Sequence, residues 1–296
     1  MVPVAECGGV TISCPFDGKY AFYNSPYAAH RLSTGIDIYP DLGFGETAPS
    51  PVGGEVILVR RVKAPIGIGF KDAGYDVVTV LRSLENPERV IKLLHIDPIV
   101  ECGELVEPGQ GLGVLLRSGY YGFGTSPHVH IEIREPSDPL RARGGYHLSS
   151  LIKVNRLKPL EELRGIVTKS VPEFSIVSLL GVSANGLSAD VGGVAGLLDG
   201  GIPYYGWLGA HVGDKLPGGK IVRLTGEPIA IIRTVLGRAC LADCLNFSVK
   251  VGGVSIAGLS LCLSPKNELD VKLIPNKLGG LKLEEGSEVL LKIEKR

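Results

Sequence analysis

Two histidines lie one residue apart at the start of an alternating apolar segment, GTSPHVHIEIR, at residues 124–134. Successive side chains of a β-strand point to opposite faces, so His128 and His130 share one face, while the apolar residues between them face the core. Along the strand the two imidazoles would lie about 7 Å apart. Histidines placed in this way can bind a metal, act as an acid–base pair or face water.

Two more residues of the same part of the chain can join them. In STGIDIYP, at residues 33–40, Asp37 points to the face opposite its two isoleucine neighbours. His95 ends the apolar segment LLHID at residues 93–97. Carboxylate and imidazole groups at the ends of strands are the ligands and the proton carriers that metal-dependent hydrolysis uses.

The elements that must position these residues are short strands. From about residue 32 to residue 134, apolar alternation is interrupted by Gly-rich and Pro-rich turns, which indicates successive strands. The polar, Pro-rich segment at residues 134–145 ends this part. LKPLEELRG, at residues 157–165, is typical of a short helix, and strand patterns resume after it. We therefore predict a mainly β protein with two domains, residues 1–145 and 155–296.

Three segments of the first domain resemble the lysostaphin-type zinc endopeptidases, also called LytM-like peptidoglycan hydrolases. They are PSPVGGEVI at 49–57, LLHIDPIVECGELVEPGQGLG at 93–113 and GTSPHVHIEIR at 124–134, and they follow the family's order. The resemblance covers a little over a third of the chain. It implies a LytM-like antiparallel β domain of the duplicated hybrid motif type, followed here by a second β-rich domain whose role the sequence does not indicate.

The resemblance also implies a site. Asp37 and His130 match two metal ligands of the family, and the implied metal is zinc. His95 and His128 match the two histidines that assist the chemistry, by polarising the attacked carbonyl or by taking a proton from water. Ser33 stands where the family has its first metal-binding histidine, and serine is a poor zinc ligand. A replacement must come from His30 three residues upstream, from a water or from a histidine of the second domain.

Two functions follow, and they belong to different classes. The first is a metal-dependent peptidase or amide hydrolase that acts on a peptide or protein, with His30 as the replacement ligand. The second is a non-catalytic scaffold that keeps the LytM-like fold and binds a peptide or protein partner. A third hypothesis, a phosphocarrier of the glucose type, is less favoured. In such proteins the two histidines come from separate strands, whereas here they share one strand. No sequence feature indicates an oligomeric state.

Composition sets further expectations. The 31 basic and 31 acidic residues give a net charge of zero, which predicts neither a nucleic acid nor a membrane as partner. The first residues lack the pattern of a signal peptide, so we expect a cytoplasmic protein. The scarcity of Met and Gln favours a thermophilic source. We expect the six cysteines to be inert thiols, although Cys240 and Cys244 would meet if CLADC formed a helical turn. We expect His147 and His211 at the surface.

Overall fold

The structure is a computed structural model that describes residues 1–154, 157–181 and 184–295. The predicted fold class is confirmed, since the regular structure of these residues is almost entirely β, with one helix of four residues. The chain forms two compact units, residues 1–20 with 27–151 and residues 21–26 with 152–296. Among the described residues, no helix is both long enough and apolar enough to cross a bilayer.

The predicted domain limits, 1–145 and 155–296, stay a prediction. Residues 155 and 296 lie outside the described residues. The units differ from a division at one point of the chain, because the six residues 21–26 belong to the second unit. Their attachment there is specific: the backbone N–H groups of Phe22 and Tyr23 donate to the buried carboxylate of Asp199, at 2.7 and 3.3 Å.

The first unit is built from three antiparallel sheets and one short helix. The sheets have the strand orders β13-β1-β2, β10-β6-β7-β8-β12-β4-β3 and β5-β11-β9. The elements are β1 (Val2–Cys7), β2 (Val10–Cys14), β3 (Lys19–Ala21), α1 (Ala28–Arg31), β4 (Ile36–Tyr39), β5 (Thr47–Pro49), β6 (Gly54–Lys63), β7 (Tyr75–Ser83), β8 (Val90–Leu94), β9 (Ile96–Pro98), β10 (Leu105–Val106), β11 (Gly111–Leu115), β12 (Val129–Arg134) and β13 (Ser149–Ser150).

Strand β12 lies inside the seven-stranded sheet, between β8 and β4. Its apolar residues Val129, Ile131 and Ile133 are at most 1% exposed, as the alternation predicts. The opposite face is buried as well, because His130, Glu132 and Arg134 are at most 5% exposed. The expectation that the histidines would look out of the core is therefore wrong: further segments of the unit cover the polar face of the strand, and its polar groups must pair with one another.

The second unit contains thirteen strands among its described residues, and six of them close into a ring in the order β16-β19-β20-β21-β18-β17. The others continue from β17 in the order β24-β25-β15-β14-β26-β22-β23. The strands are β14 (Leu163–Val171), β15 (Phe174–Leu179), β16 (Leu187–Val191), β17 (Val194–Ile202), β18 (Trp207–Val212), β19 (Ile221–Leu224), β20 (Glu227–Leu236), β21 (Ala239–Cys244), β22 (Phe247–Val251), β23 (Val254–Ile256), β24 (Gly258–Leu261), β25 (Asp270–Ile274) and β26 (Glu288–Lys295).

Two local expectations for this unit are wrong, those for LKPLEELRG and for His211. Residues 157–162 are irregular and β14 begins at Leu163, so LKPLEELRG forms no helix; the sheet offers its apolar residues more burial than an isolated turn would. Cys240 and Cys244 are free thiols, in agreement with the sequence; they lie on strand β21, about 13 Å apart by strand geometry, so the helical turn that would have brought them together does not form. His211 is buried, with Nε2 at 3.2 Å from the Asp199 carboxylate.

Candidate metal centre

Neighbouring strands bring two of the predicted residues together. His130 on β12 and Asp37 on β4 are direct partners in the antiparallel register. Side chains of such partners lie on the same face of the sheet, with Cβ atoms about 5 Å apart. The His130 Nδ1 and Asp37 Oδ1 atoms are accordingly 2.8 Å apart. The sheet register by itself therefore places the carboxylate and the imidazole side by side.

The third residue, His30, comes from helix α1. This single turn ends in a Schellman motif, in which the Thr34 N–H donates to the Ala29 carbonyl at 2.8 Å and the Ser33 N–H donates to the His30 carbonyl at 3.0 Å. The motif requires a left-handed residue at its end, and Ser33 takes that conformation with φ of 57°. Ser33 thus ends the turn that carries His30, and the histidine reaches the site from one turn earlier in the chain.

Three donor atoms converge at this point. His30 Nε2 lies 3.1 Å from His130 Nδ1 and 3.3 Å from Asp37 Oδ1. With the 2.8 Å contact between His130 and Asp37, the three atoms form a closed triangle. In a tetrahedral zinc site with bonds of about 2.0–2.1 Å, ligand atoms lie about 3.3 Å apart. Within the described part of the chain, this is the group of three His, Cys, Asp or Glu side chains with metal-binding spacing.

Hydrogen bonding alone does not satisfy the triangle. A ring nitrogen either donates or accepts at a given moment, so at most two of the three contacts can be hydrogen bonds at once. A cation at the centre accepts all three lone pairs together. Asp37 adds a second reason, because its partners are the imidazoles of His30, His128 and His130, and neither a lysine nor an arginine pairs with it among the described residues. The donor set therefore fits a divalent metal such as zinc.

A glycine makes room for the ring of His130. A Cβ atom at Gly35 would lie 2.7 Å from His130 Cε1 and 3.0 Å from the Cβ of Ala29. Contacts this short between heavy atoms are excluded, so any larger residue at position 35 would displace the ring or the helix. Gly35 of the STGID segment is therefore part of the construction of the site, since it lets the imidazole pack directly against the chain that carries Asp37.

The electrostatics of the triangle favour positive charge. Burial by itself would raise the pKa of Asp37, yet the surrounding histidines hold that pKa well below its usual range. Burial would lower the pKa of His130, yet its bonds to Asp37 and Glu132 raise it to about 9. The same negative field that holds a second proton on His130 attracts a metal cation, and the two compete for the Nδ1 lone pair.

A second layer of charged groups orients His130. Its Nε2 atom lies 3.4 Å from Glu132 Oε1, and a proton on Nε2 leaves the Nδ1 lone pair for the triangle. Glu132 is held in turn by Lys92 Nζ at 2.7 Å and by Arg134 at 2.6 Å. Burial would raise the pKa of Glu132, but its bond to His130 and the nearby charges, including Lys92, lower it to about 2. The carboxylate is thus ionised and fixed.

His95 and His128 lie next to the triangle. Their ring centroids are 5.1 Å apart, and His128 Nε2 is 3.6 Å from Asp37 Oδ2. Burial is the main reason why the pKa of His128 falls to about 4. The Nδ1 atom of His128 donates to the Ser126 carbonyl at 2.9 Å, which leaves Nε2 as the basic nitrogen. The ring of Tyr121 packs on both imidazoles, with centroid distances of 4.8 Å.

His95 is oriented by a carboxylate that sequence reasoning missed. Asp76 on β7 accepts a hydrogen bond from His95 Nδ1 at 2.6 Å and one from the His95 backbone N–H at 2.9 Å. The second bond helps to hold His95 in a left-handed conformation with φ of 72°. Asp76 is fully buried and directly precedes the apolar residues of strand β7, YDVVTVLRS. An acidic residue at a core position of a strand was the available signal, since it requires a partner.

All five predicted site residues thus lie in one cluster, while their roles stay predictions. His30, Asp37, His95, His128 and His130 are each at most 7% exposed. Besides Asp76, sequence reasoning missed Tyr121 and the support from Lys92. Tyr121 belongs to the glycine-rich segment SGYYGFG, in which the aromatic residues have no periodicity that would assign them to a site.

Replacing Asp76 by asparagine should impair His95 without removing a metal ligand. If the site is hydrolytic, we expect turnover to fall about 10²- to 10⁴-fold, because the amide no longer holds the Nδ1 proton in place. The zinc content should not change. Asp199→Asn is the matched control, because it alters a second buried Asp–His pair, located in the other unit. Equal losses of turnover in the two variants would show that Asp76 contributes only to stability.

Comparison with known proteins gives three results. The family described as "Domain of unknown function (DUF8155) N-terminal domain" matches residues 13–150, slightly less than half of the chain, and this range includes the whole cluster. Among solved structures, the chain is similar to the NMR solution structure of lysostaphin, with a TM-score of 0.30 and 13% identity over 78% of this chain and 91% of that chain. Curated protein sequences contain no match.

Proposed function

We propose that the protein is a metal-dependent hydrolase of peptide or amide bonds, with zinc held by His30, Asp37 and His130. The observation that carries the proposal is the closed triangle of two imidazole nitrogens and one carboxylate oxygen, which lies beside two further histidines. A catalytic zinc site has three protein ligands and one open position, and this donor set has the same number. Zinc bound there would supply Lewis acidity toward a water and toward the carbonyl oxygen of the substrate.

The two remaining histidines divide the proton chemistry. His128 presents an unprotonated Nε2 atom 3.6 Å from Asp37 Oδ2, and we assign it the role of accepting a proton from water. Asp76 holds the Nδ1 proton of His95, which leaves Nε2 to orient the water or the carbonyl group. Tyr121 packs on both rings and limits the water around them. The substrate class that we propose is an extended peptide or a protein segment.

The experiment that tests this function compares His130→Ala with the wild type. We expect the zinc-loaded wild type to cleave members of a mixed peptide library and the variant to show only background hydrolysis, because a metal ligand is lost. His147→Ala is the matched control, because His147 is an exposed histidine of the same unit. Background rates for the wild type would refute hydrolysis of these peptides, and equal rates for wild type and His130→Ala would place the activity elsewhere.

Burial favours a second candidate, a non-catalytic protein that binds a peptide or protein partner. His30 is 1% exposed and the other two triangle residues are at most 5% exposed, so a peptide has little access to the donors. For such a protein, zinc would stabilise the fold and no peptide would be cleaved. Binding of the same partner by wild type and by His130→Ala, with no cleavage by either, would support this candidate.

A further inference from the structure

The loop between β6 and β7 carries two almost fully exposed isoleucines. In the segment KAPIGIGFKDAG, at residues 63–74, Ile66 is 87% exposed and Ile68 is 86% exposed. The next most exposed large apolar side chain of the described residues is Leu105, at 61%. Side chains with nearly nine tenths of their surface exposed lie on a convex tip, because the rest of the unit covers very little of them. The tip is therefore apolar and projecting.

The backbone of this loop is fixed by its own hydrogen bonds. The carboxylate of Asp72 accepts the N–H groups of Gly67 and Gly74, at 2.8 and 2.6 Å. The loop also rests closely on residue 119, where a Cβ atom would lie 1.7 Å from the Pro65 carbonyl oxygen, so only glycine fits there. A loop built in this way holds its isoleucines outward instead of folding them onto the unit.

Basic residues flank the apolar tip along the chain, and one of them, Arg61, pairs with Asp97 at 3.8 Å. Between Glu55 and Asp72 the sequence has basic residues and no acidic one. The single acid of the loop, Asp72, is occupied by backbone N–H groups. The sequence predicts no membrane partner because the net charge of the whole chain is zero. That total hides the local excess of basic residues near the tip. The basic residues are all exposed: Arg60, Arg61, Lys63 and Lys71.

We propose that residues 63–71 dock the protein reversibly on an anionic lipid surface. The isoleucines enter the boundary between headgroups and acyl chains, and the basic residues stay at the level of the anionic headgroups. A convex apolar tip with basic flanks matches a bilayer surface, whereas a peptide is bound by a concave groove. This inference does not depend on the proposed metal site, because none of its residues belongs to the triangle.

Sedimentation with lipid vesicles tests the proposal on the full chain. We expect binding to phosphatidylcholine vesicles that contain phosphatidylserine, and little binding to phosphatidylcholine alone. The double variant Ile66→Ser/Ile68→Ser should bind at least about tenfold more weakly, since two apolar side chains are removed. Lys63→Gln/Lys71→Gln should weaken binding about tenfold or more and reduce its sensitivity to salt.

The matched control is Ile99→Ser/Leu105→Ser, which replaces two exposed apolar residues that lie among glutamates; Ile99 is 59% exposed and Leu105 is 61% exposed. We expect it to bind vesicles like the wild type. The proposal would be overturned by no binding to anionic vesicles at low salt, by equal binding to neutral vesicles, or by unchanged binding of the isoleucine variant. If the isoleucine variant differs from the wild type in oligomeric state when no vesicles are present, the tip binds a second copy of the chain. That result would overturn the proposal as well.

Discussion

Replacing His30 by alanine should lower the affinity for zinc by about 100-fold or more. Loss of groups that only orient a ligand costs about 10- to 100-fold, and His30 supplies a donor atom itself. The remaining donors, Asp37 and His130, would form an incomplete site for zinc. Competition with a chromophoric chelator measures the affinity of each protein. Because His30 Nε2 already lies 3.1–3.3 Å from both other donors, the wild type should bind one zinc ion per chain.

His147→Ala is the control for this measurement, because it removes an exposed histidine from the same unit. It should retain the wild-type affinity. Stoichiometric zinc of unchanged affinity in His30→Ala would contradict the assignment and would show that His30 is not the missing ligand. Circular dichroism of each variant without zinc separates a loss of ligand from a loss of fold.

Replacing Arg134 by leucine should lower the free energy of unfolding by about 3–5 kcal/mol, the usual cost of removing one partner of a buried ion pair. The Arg134 side chain is fully buried and bonds to Glu132 Oε2 at 2.6 Å. It also donates to the carbonyl oxygens of Asp138 and Arg143, at 2.7 and 2.8 Å. Leucine leaves the buried Glu132 carboxylate without this partner and removes both bonds to the carbonyl oxygens. Urea denaturation followed by fluorescence measures the change.

Arg82→Leu is the matched control, because Arg82 forms a half-exposed ion pair with Glu55 in the same unit, at 3.1 Å. Exposed pairs of this kind contribute little, so its unfolding midpoint should stay close to that of the wild type. Equal midpoints for Arg134→Leu and Arg82→Leu would contradict a structural role for the buried network beneath His130.

Most of the candidate site follows from strand periodicity. Alternation in HVHIEIR gives the strand and places His130 opposite the apolar face, and the same rule orients Asp37 in STGID. Periodicity does not tell whether a polar face meets water or further segments of the chain. The polar face of β12 is covered, and the only sign of this in the sequence is a dense series of charges, Glu132 and Arg134, that can neutralise each other.

The rest depends on contacts that are distant in sequence. His30 reaches the triangle because a Schellman motif at Ser33 ends its helix, and four residues are too few to give a helical pattern. Asp76 meets His95 because β7 pairs with β8, which a single apolar strand does not reveal. Phe22 and Tyr23 of the segment 21–26 bind Asp199, which lies 176 or more residues away in the chain. A local sequence pattern cannot predict a contact over this separation.

The most direct test of the metal centre is an anomalous-difference map of zinc-loaded crystals at the zinc absorption edge. We expect one peak per chain at about 2.0–2.2 Å from His30 Nε2, Asp37 Oδ1 and His130 Nδ1. A peak bound elsewhere, or no peak between these three residues from protein that contains stoichiometric zinc, would contradict this expectation.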